Sequence, residues 1–524
     1  MLRREFIGLL SLIGCKEDMF LAQHGTLGAA KAKKDVFLAI GDSNSAGKGR
    51  TLGPVTSRDT LYHYESPGGI VEITTTDIST NPPLGDYGTS YKQFAIDYKA
   101  NTGHSVVMVT QGQGGSNFYP AGDGVNWYTS GDLYAPMLVA SAAACALVGV
   151  ALPTAIFLNL GINDVRDGVS MANMTTGIDS LFDRLESDFP GVPILVIQVG
   201  SQDGPVYNSA ALYHMRERLR TEVVLRTNAY FVSNNCSFVQ SGVTDHYYDV
   251  ESLHLDQSGN NLQGSQMARW FTLSGYSKAA RNVLSCMMVM PSTTRMNLIA
   301  AFIDSQVAAS NNWYKMDMLF PYKTNNFENI FQDWSFLWIQ TDYVAPITFN
   351  VDSDIETNGT SNFTANYHAA YTNGSLPTQT DWIFGVKQKT NLSGGASGCM
   401  FGGRQTAILA GCFLIQVSGG PGNWCINSVN TDNNSETSYA NDTLFSVART
   451  GTTSRFIKNA TTATSVTRAS TAKENETICI GALNTSTVKS LFYSARFEYV
   501  YSARYADFDL SSFYTNMETL LDNW

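Results

Sequence analysis

The chain is short of charge for its length. Of its 524 residues only 15% are Asp, Glu, Lys or Arg, against roughly a quarter in an average globular protein. The formal net charge is −11, which argues against a nucleic-acid partner because such partners need a basic face. No apolar run reaches the roughly 20 residues of a membrane span. The composition is instead typical of extracellular, β-rich proteins with polar but uncharged surfaces.

The chain also lacks the paired cysteines of a zinc site. Its eight cysteines, at positions 15, 145, 236, 286, 399, 412, 425 and 479, include no CxxC pair, which excludes a familiar zinc framework. Cys399, Cys412 and Cys425 lie in one Gly-rich region, where a disulfide would form if the protein were exported. Buried free thiols are the alternative.

Nucleotide-binding loops are missing as well. A phosphate-binding loop needs four residues between its glycines and a Ser or Thr after the Lys. Here five residues separate Gly41 from Gly47, and Gly49 follows Lys48. The Gly-rich run at 111–116 does not match the dinucleotide fingerprint either. No nucleotide cofactor is therefore predicted from these loops.

The first 34 residues predict an export or anchoring segment. A basic stretch at 2–5 precedes the apolar run 6–15, and residues 12–15 resemble a bacterial lipoprotein cleavage box ending in Cys15. The alternative is an amphipathic helix that docks on its own protein or on a partner, within a homo-oligomer or a larger assembly. The first interpretation predicts an extracellular or cell-envelope protein, and a phage virion is the alternative location.

Residues 35–285 alternate between apolar strands and helices. Strands are predicted at 36–40, 106–109, 155–160 and 193–198, and helices at 90–100, 135–150, 176–188, 210–227 and 261–273. Continuous apolar strands between helices indicate a parallel sheet covered on both faces. This pattern predicts an α/β domain.

From about residue 290 the pattern becomes that of an all-β sandwich, predicted over 290–524 with the boundary at 275–294. Aromatic and β-branched runs at 334–339, 348–351, 381–387, 412–417 and 490–501 are separated by turn residues. Helical periodicity is scarce until 511–521.

Polar residues follow the predicted strands where a ligand would bind in a parallel sheet. Ser43 is the candidate nucleophile, at the tip of the first strand. The backbone N–H groups of Ser43 and Gly115 and the side-chain amide of Asn163 are candidate donors to an oxyanion. Gly114 adds a second position without a side chain. The strand tips thus supply a hydroxyl and its oxyanion donors.

A base for that hydroxyl is expected from a late loop. His254 precedes the last helix of the α/β region, and Asp249 and Glu251 stand shortly before it. Either acid is a candidate to orient the imidazole, as in Ser-His-Asp catalysis. Which of the two does so stays open.

These segments, in this order, resemble the SGNH/GDSL hydrolase superfamily. The matching positions are Gly41-Asp42-Ser43, Gly115 with its following small polar residue, Gly161-x-Asn163-Asp164, and His254 in an acid-x-x-His-Leu setting. The wider motif at 41–49 and the Gly114-Gly115-Ser116 run are similar to the sialate O-acetylesterase and acetylxylan esterase branch. Two departures leave the branch open: Glu251 stands where the family usually has Asp, and the third block is of the lipase type.

The resemblance implies a flavodoxin-like, three-layer domain and an esterase without metal or cofactor. His254 takes the proton of Ser43, and an acyl-serine forms and is hydrolysed. Asp42, Gly114 and Asp164 support the site. The implied substrate is O-acetylated carbohydrate.

The end of the chain, at 499–524, looks like the end of concanavalin/laminin-G-like domains. Exposed aromatic residues of such a domain would stack on sugars, whereas buried ones would fill a sandwich core. A second function therefore stays open: a non-catalytic carbohydrate-binding adhesin, or a phage tail or fibre receptor-binding protein, with a degenerate hydrolase domain. An enzyme requires His254 Nε2 within hydrogen-bond reach of Ser43 Oγ, whereas a binder would be indifferent to Ser43→Ala.

Overall fold

The structure is a computed structural model. It describes residues 33–43, 61–65, 69–72, 89–121, 125–200, 210–234, 255, 257–309, 311–324, 329, 332–336, 342–344, 347–358, 362–364, 381–392, 398–404, 411–416, 422–428, 432–433, 440–467, 478–485 and 488–524. No helix among these residues is both long and apolar enough to cross a lipid bilayer.

The first part of the chain forms a seven-stranded sheet. Its strands are β1 (Lys34–Gly41), β2 (Leu61–Glu65), β3 (Gly69–Glu72), β4 (Ser105–Thr110), β5 (Ala155–Asn159), β6 (Ile194–Gln198) and β7 (Ala229–Asn234), in the spatial order β3-β2-β4-β1-β5-β6-β7. Every pairing is parallel except that of β3 with β2. The five strands β4-β1-β5-β6-β7 have the doubly wound, flavodoxin-like order, as predicted. The sequence patterns missed β2, β3 and β7.

Helices cover both faces of this sheet. They are α1 (Ser90–Thr102), α2 (Tyr134–Val148), α3 (Ile162–Arg166), α4 (Met171–Asp188), α5 (Ala210–Leu225), α6 (Gln257–Thr272) and α7 (Lys278–Ser285). Successive side chains of a strand point to opposite faces. Phe37 of β1 accordingly packs with Phe94 of α1 and Met267 of α6, whereas Leu38 lies in the core formed with α2, α4 and α5. The three-layer α/β architecture is confirmed.

The second part of the chain forms two sheets in which every pairing is antiparallel except that of β14 with β22. The strands are β8 (Met316–Pro321), β9 (Asp342–Val344), β10 (Ile347–Asn350), β11 (Asp354–Asn358), β12 (Asn362–Thr364), β13 (Asp381–Asn391), β14 (Gly398–Arg404), β15 (Gly411–Gln416), β16 (Asn423–Ser428), β17 (Asp432–Asn433), β18 (Thr443–Thr450), β19 (Thr453–Lys458), β20 (Thr461–Thr467), β21 (Cys479–Ile480), β22 (Leu483–Thr485), β23 (Val488–Ser490) and β24 (Ser494–Ala503). One sheet has the order β10-β11-β24-β13-β18-β19-β20, with β8 also pairing with β24. The other has the order β17-β16-β15-β14-β21-β12-β9, with β22 pairing with β14 and β23 pairing with β22. The predicted all-β sandwich is confirmed.

Three helices accompany the sandwich: α8 (Thr293–Ala308), α9 (Asn312–Lys315) and α10 (Leu510–Asp522). Helix α10 was predicted, but the expectation that helices are scarce after residue 290 is wrong for α8. Ile299, Phe302, Ile303 and Gln306 are buried at helical spacing, and the Ser292 hydroxyl caps the helix by accepting from the Arg295 N–H. This spacing and the capping serine are themselves a helix signal in the sequence.

One other expectation from the sequence is wrong, and one of the two states left open for the cysteines is found. Residues 334–336 form a turn and bend rather than the start of a strand. Within the described chain, Cys399, Cys412 and Cys425 are buried thiols rather than halves of a disulfide. The Cys399 thiol donates to the Phe401 carbonyl at 3.0 Å, and the Cys425 thiol donates to the Ser428 carbonyl at 2.8 Å. Backbone carbonyls therefore satisfy these two sulfurs.

The turn at 332–336 joins the sandwich to one edge of the parallel sheet. Gln198, the last residue of β6, donates through Nε2 to the Phe336 carbonyl at 2.9 Å. Asn234, the last residue of β7, donates through Nδ2 to the Asp333 carbonyl at 3.1 Å. Phe336 also stacks on Phe231, with ring centroids 4.5 Å apart. The sandwich is thus docked on the carboxyl ends of two parallel strands.

Candidate active site

The candidate nucleophile lies at the point where the strand order reverses. Strand β1 has β4 on one side and β5 on the other. The chain after β1 returns to β4 through α1 on one face of the sheet, whereas β5 is followed by α4 on the other face. The chain therefore leaves β1 and β5 in opposite directions, which opens a crevice at their carboxyl ends. Gly41 is in register with Asn159, and the Asp42 N–H donates to the Asn159 carbonyl at 3.0 Å. Ser43 follows directly and is 8% exposed. This is the crevice in which doubly wound folds bind their ligands.

The loop after β4 is fastened to the end of β1 through one carbonyl oxygen. The Gly41 carbonyl accepts from the Gln113 N–H at 3.0 Å and from the Ser116 hydroxyl at 2.9 Å. Trp127 Nε1 lies 3.3 Å from the same carbonyl oxygen and 3.3 Å from Ser116 Oγ. Ser116 and Trp127 are fully buried. These bonds therefore fix the loop against Gly41, which precedes Ser43 by two residues.

Gly114 and Gly115 lie in this loop, as predicted. Gly115 has φ +79°, in the left-handed region that favours glycine. A Cβ at this position would meet no atom within 4 Å, so the space beside the backbone is open. Among the described residues, no hydrogen bond engages the Gly115 N–H. A ligand can therefore approach this donor closely.

Asn163 reaches the same loop from the other side of β1. It belongs to α3, which starts directly after β5, and it is 5% exposed. Its Nδ2 donates to the Ser116 carbonyl at 3.1 Å. An amide nitrogen carries two N–H groups, so this bond uses one of them. Ser43, the loop of Gly115 and Asn163 are thus brought together at one edge of the sheet.

The entry to α3 requires glycine. Gly161 has φ +129°, and a Cβ there would lie 2.8 Å from Met215 Sδ and 3.0 Å from Val199 Cγ2. Any side chain would be strained in this conformation and would press on α5. Gly161 therefore sets the direction in which Asn163 leaves the sheet.

Asp164 clamps the loop to α3. It is fully buried, and its carboxylate accepts from the Phe118 N–H at 2.9 Å and from the Tyr119 N–H at 3.2 Å. One turn later, Asp167 accepts from Asn117 Nδ2 at 2.8 Å. Burial raises the pKa of Asp164 to about 7, although the two backbone N–H groups act in the opposite direction. Three side chains of one short helix segment therefore hold the loop that carries Gly115.

The predicted base and both candidate acids, His254, Glu251 and Asp249, lie outside the described residues. Leu255 is described: it is 3% exposed, packs with Met288, and its carbonyl accepts from Asn260 Nδ2 at 3.0 Å. Gly264 of α6 lies against Ser90, the first residue of α1. Because α1 leads back to the start of β4, its own start lies at the carboxyl edge of the sheet. Leu255, which precedes α6, is anchored toward this same edge.

Three residues that join these loops were not predicted: Asn117, Trp127 and Asp167. Asp167 follows Asp164 by three positions, which places both on one face of a helix, so this spacing was a usable signal. Nothing local marks Trp127, because its partners are 11 and 86 positions away in the chain. Such a contact becomes visible only in the folded chain.

Trp127→Phe is expected to lower both the unfolding free energy and any hydrolytic turnover. The change removes an indole N–H that has two buried partners and also leaves a small void. Trp424→Phe is the matched control, since Trp424 is fully buried and its Nε1 has no hydrogen-bond partner within the described chain. The free energy of unfolding, measured with urea, should be about 1 kcal/mol lower for Trp127→Phe than for Trp424→Phe. The kcat should fall only in Trp127→Phe. Equal losses in both would contradict the role assigned to the indole N–H.

The pKa of Asp164 predicts a pH dependence of stability. The folded protein holds this proton up to about pH 7, whereas the unfolded chain releases it near its ordinary value of 3.8. Between these values the folded state binds more protons than the unfolded state, so the contribution of Asp164 to stability falls as pH rises. The free energy of unfolding, measured with urea from pH 4 to pH 8, should therefore decline less for Asp164→Asn than for the wild type. Asp522→Asn, at an exposed position, should keep the wild-type slope, and an unchanged slope in Asp164→Asn would disprove the assignment.

Neither a protein-family model nor a curated protein matches this chain. Solved structures with some similarity include a protein from Arabidopsis thaliana, 16% identical, which covers 46% of this chain and 99% of its own at a TM-score of 0.36. NanS is 13% identical and covers 44% of this chain and 93% of its own, at a TM-score of 0.33. Trypanosoma rangeli sialidase is 8% identical and covers 43% of this chain and 39% of its own, at a TM-score of 0.30. Likeness at this level carries no activity over to this chain.

Proposed function

We propose that the protein is a serine esterase that removes O-acetyl groups from carbohydrate. One observation carries the proposal: the loops after β1, β4 and β5 are hydrogen-bonded to one another at the switch point of a doubly wound sheet, through the Gly41 carbonyl, Ser116 and Asn163. These loops bear a hydroxyl, an exposed backbone N–H and a side-chain amide. Acyl transfer needs those three groups around one carbonyl carbon.

In the proposed reaction His254 takes the proton of Ser43 as Ser43 Oγ attacks the acetyl carbonyl carbon. The carbonyl oxygen becomes an oxyanion, which accepts from the N–H groups of Ser43 and Gly115 and from Asn163 Nδ2. The intermediate collapses, and the sugar oxygen leaves with the proton from His254. Water then attacks the acetyl-serine, again losing its proton to His254, and acetate is released as Ser43 recovers its hydrogen.

One of the two acids, Glu251 or Asp249, is proposed to orient the imidazole. Glu251 stands three residues before His254, where the resembling family has its acid. The mechanism requires neither metal nor cofactor. Acetylated carbohydrate as the substrate, and a location outside the cell, in the cell envelope or on a virion, are further parts of the proposal.

Acetate release from a panel of acetylated substrates tests the proposal. The panel holds acetylated xylan, O-acetylated sialic acid and p-nitrophenyl acetate, each with wild-type protein and with Ser43→Ala. We expect Ser43-dependent release from at least one of the glycans and from the nitrophenyl ester. Absence of release from every substrate would reject the esterase, whereas release from the nitrophenyl ester alone would reject the carbohydrate substrate.

A further inference from the structure

Helix α2 exposes an apolar surface that the described fold leaves open to solvent. Val139 is 69% exposed and Leu147 58% exposed, and beyond the helix Val150 and Leu152 are 39% and 38% exposed. We call these four residues the α2 patch. Val139, Ala143 and Leu147 follow one another at a spacing of four positions, which makes a ridge along one side of the helix, and Val150 follows after the helix has ended at Val148.

The sequence around the α2 patch has no charge at all. No Asp, Glu, Lys, Arg or His occurs between Asp132 and Asp164. An ordinary surface helix carries charged residues opposite its buried stripe, and here the outer side has only apolar and small residues. A contiguous exposed apolar surface of this kind indicates an interaction site.

The far end of the α2 patch lies beside the start of β1. The Thr154 N–H donates to the Val36 carbonyl at 2.7 Å, and Ala155 is in register with Phe37. Leu152 precedes Thr154 by two positions, so it lies close in space to Lys33, the first residue that the structure describes. Residues 1–32, which precede that point, lie outside the described part of the chain.

We propose that residues 6–14 of the same chain bind the α2 patch. They form the uncharged sequence Phe-Ile-Gly-Leu-Leu-Ser-Leu-Ile-Gly, which matches the apolar and uncharged character of the patch. The 18 residues from 15 to 32 span up to about 60 Å when extended, whereas α2 with its 15 residues is only about 22 Å long. The segment therefore reaches every residue of the patch from Lys33. Attachment in the same chain also spares this contact most of the entropy that a separate partner would lose on binding.

Limited proteolysis of the full-length protein tests this contact. Trypsin cuts after Lys16, immediately beyond the proposed contact, and a docked segment protects this bond. Val139→Asp and Leu147→Asp each place a charge in the contact and should speed cleavage there by about tenfold. Both positions are exposed, so the fold tolerates the change. Val351→Asp, at a 61% exposed position in the sandwich, is the matched control and should be cut at the wild-type rate.

A crosslink gives a second readout that does not depend on protection. Leu147→Cys, treated with a mild oxidant, should form an intramolecular disulfide with the native Cys15, and Val351→Cys should not. Sedimentation of the wild type distinguishes a contact within one chain from a contact between two copies. Equal cleavage rates in all variants, or no Cys15 crosslink, would overturn the proposal. Protection that vanishes on dilution together with a dimer would also overturn it, and would assign the patch to a second copy.

Discussion

Ser43→Ala is expected to reduce kcat for ester hydrolysis by about a thousandfold or more, because it removes the atom that forms the acyl intermediate. What remains would come from the oxyanion donors acting on water. The substitution deletes one oxygen at the end of β1 and leaves the hydrogen bonds of the Gly41 carbonyl in place. Substrate affinity and melting temperature should therefore stay close to those of the wild type. Stopped assays of nitrophenyl acetate hydrolysis, at enzyme concentrations high enough to detect the residual activity, would measure the loss of kcat.

The double variant Ser43→Ala with His254→Ala distinguishes a catalytic pair from two separate effects. Residues that act as a unit in one step are strongly non-additive, so the double variant should be no slower than Ser43→Ala alone. A matched substitution at a histidine outside the proposed site, His104→Ala, should retain turnover, since His104 bonds Asp35 at the opposite end of β1. Multiplicative losses, or full activity after His254→Ala, would contradict the proposed base.

The second large effect is expected at Asn163. Asn163→Ala should lower kcat by about a hundredfold to a thousandfold, the usual loss for one oxyanion donor, with KM much less affected. The change also removes the bond to the Ser116 carbonyl, so part of any loss could arise from a displaced loop. The measurement is therefore a comparison of kcat and KM with a variant that loosens the same loop.

Asn117→Ala supplies that comparison. It removes the 2.8 Å bond from the buried Asn117 side chain to the Asp167 carboxylate at the end of the same helix. Loosening of the loop without loss of an oxyanion donor should lower the melting temperature and reduce kcat only modestly. If kcat fell equally in Asn163→Ala and Asn117→Ala, the side-chain amide would have a structural role and no direct part in catalysis.

Sequence patterns were sufficient for the parts of the fold that are locally encoded. The apolar run of β1 ending in Gly41-Asp42-Ser43, and the corresponding end of β5 before Asn163, identified two strand tips of the parallel sheet. Their adjacency followed from the fold class, since parallel strands end at a common edge. Gly115 was identifiable for a similar reason, because its loop follows a strand and is rich in glycine.

Other features depend on contacts between distant residues, which a local pattern does not encode. The Trp127 indole lies beside the Gly41 carbonyl, 86 positions away in the chain. The burial that raises the pKa of Asp164 arises only when the loop after β4 folds over α3. The expected strand at 334–339 was wrong at 334–336, where aromatic residues fill the junction with the parallel sheet. High β propensity there reflects burial at a domain contact, because propensity is weaker than tertiary context.

The junction between the two halves limits how this protein could have been assembled from separate modules. Arg220 of α5 is almost fully buried and donates through Nη1 to the Met316 carbonyl at 2.9 Å, at the start of the sandwich. Tyr213 of the same helix belongs to the hydrophobic core of the sandwich. Removal of the sandwich would leave the Arg220 guanidinium without this acceptor and would expose the Tyr213 ring, so an isolated α/β half should aggregate. Because α5 lies within the α/β half and also contacts the sandwich, an exchange of the sandwich alone would disrupt α5, and the two halves are expected to be inherited as one unit.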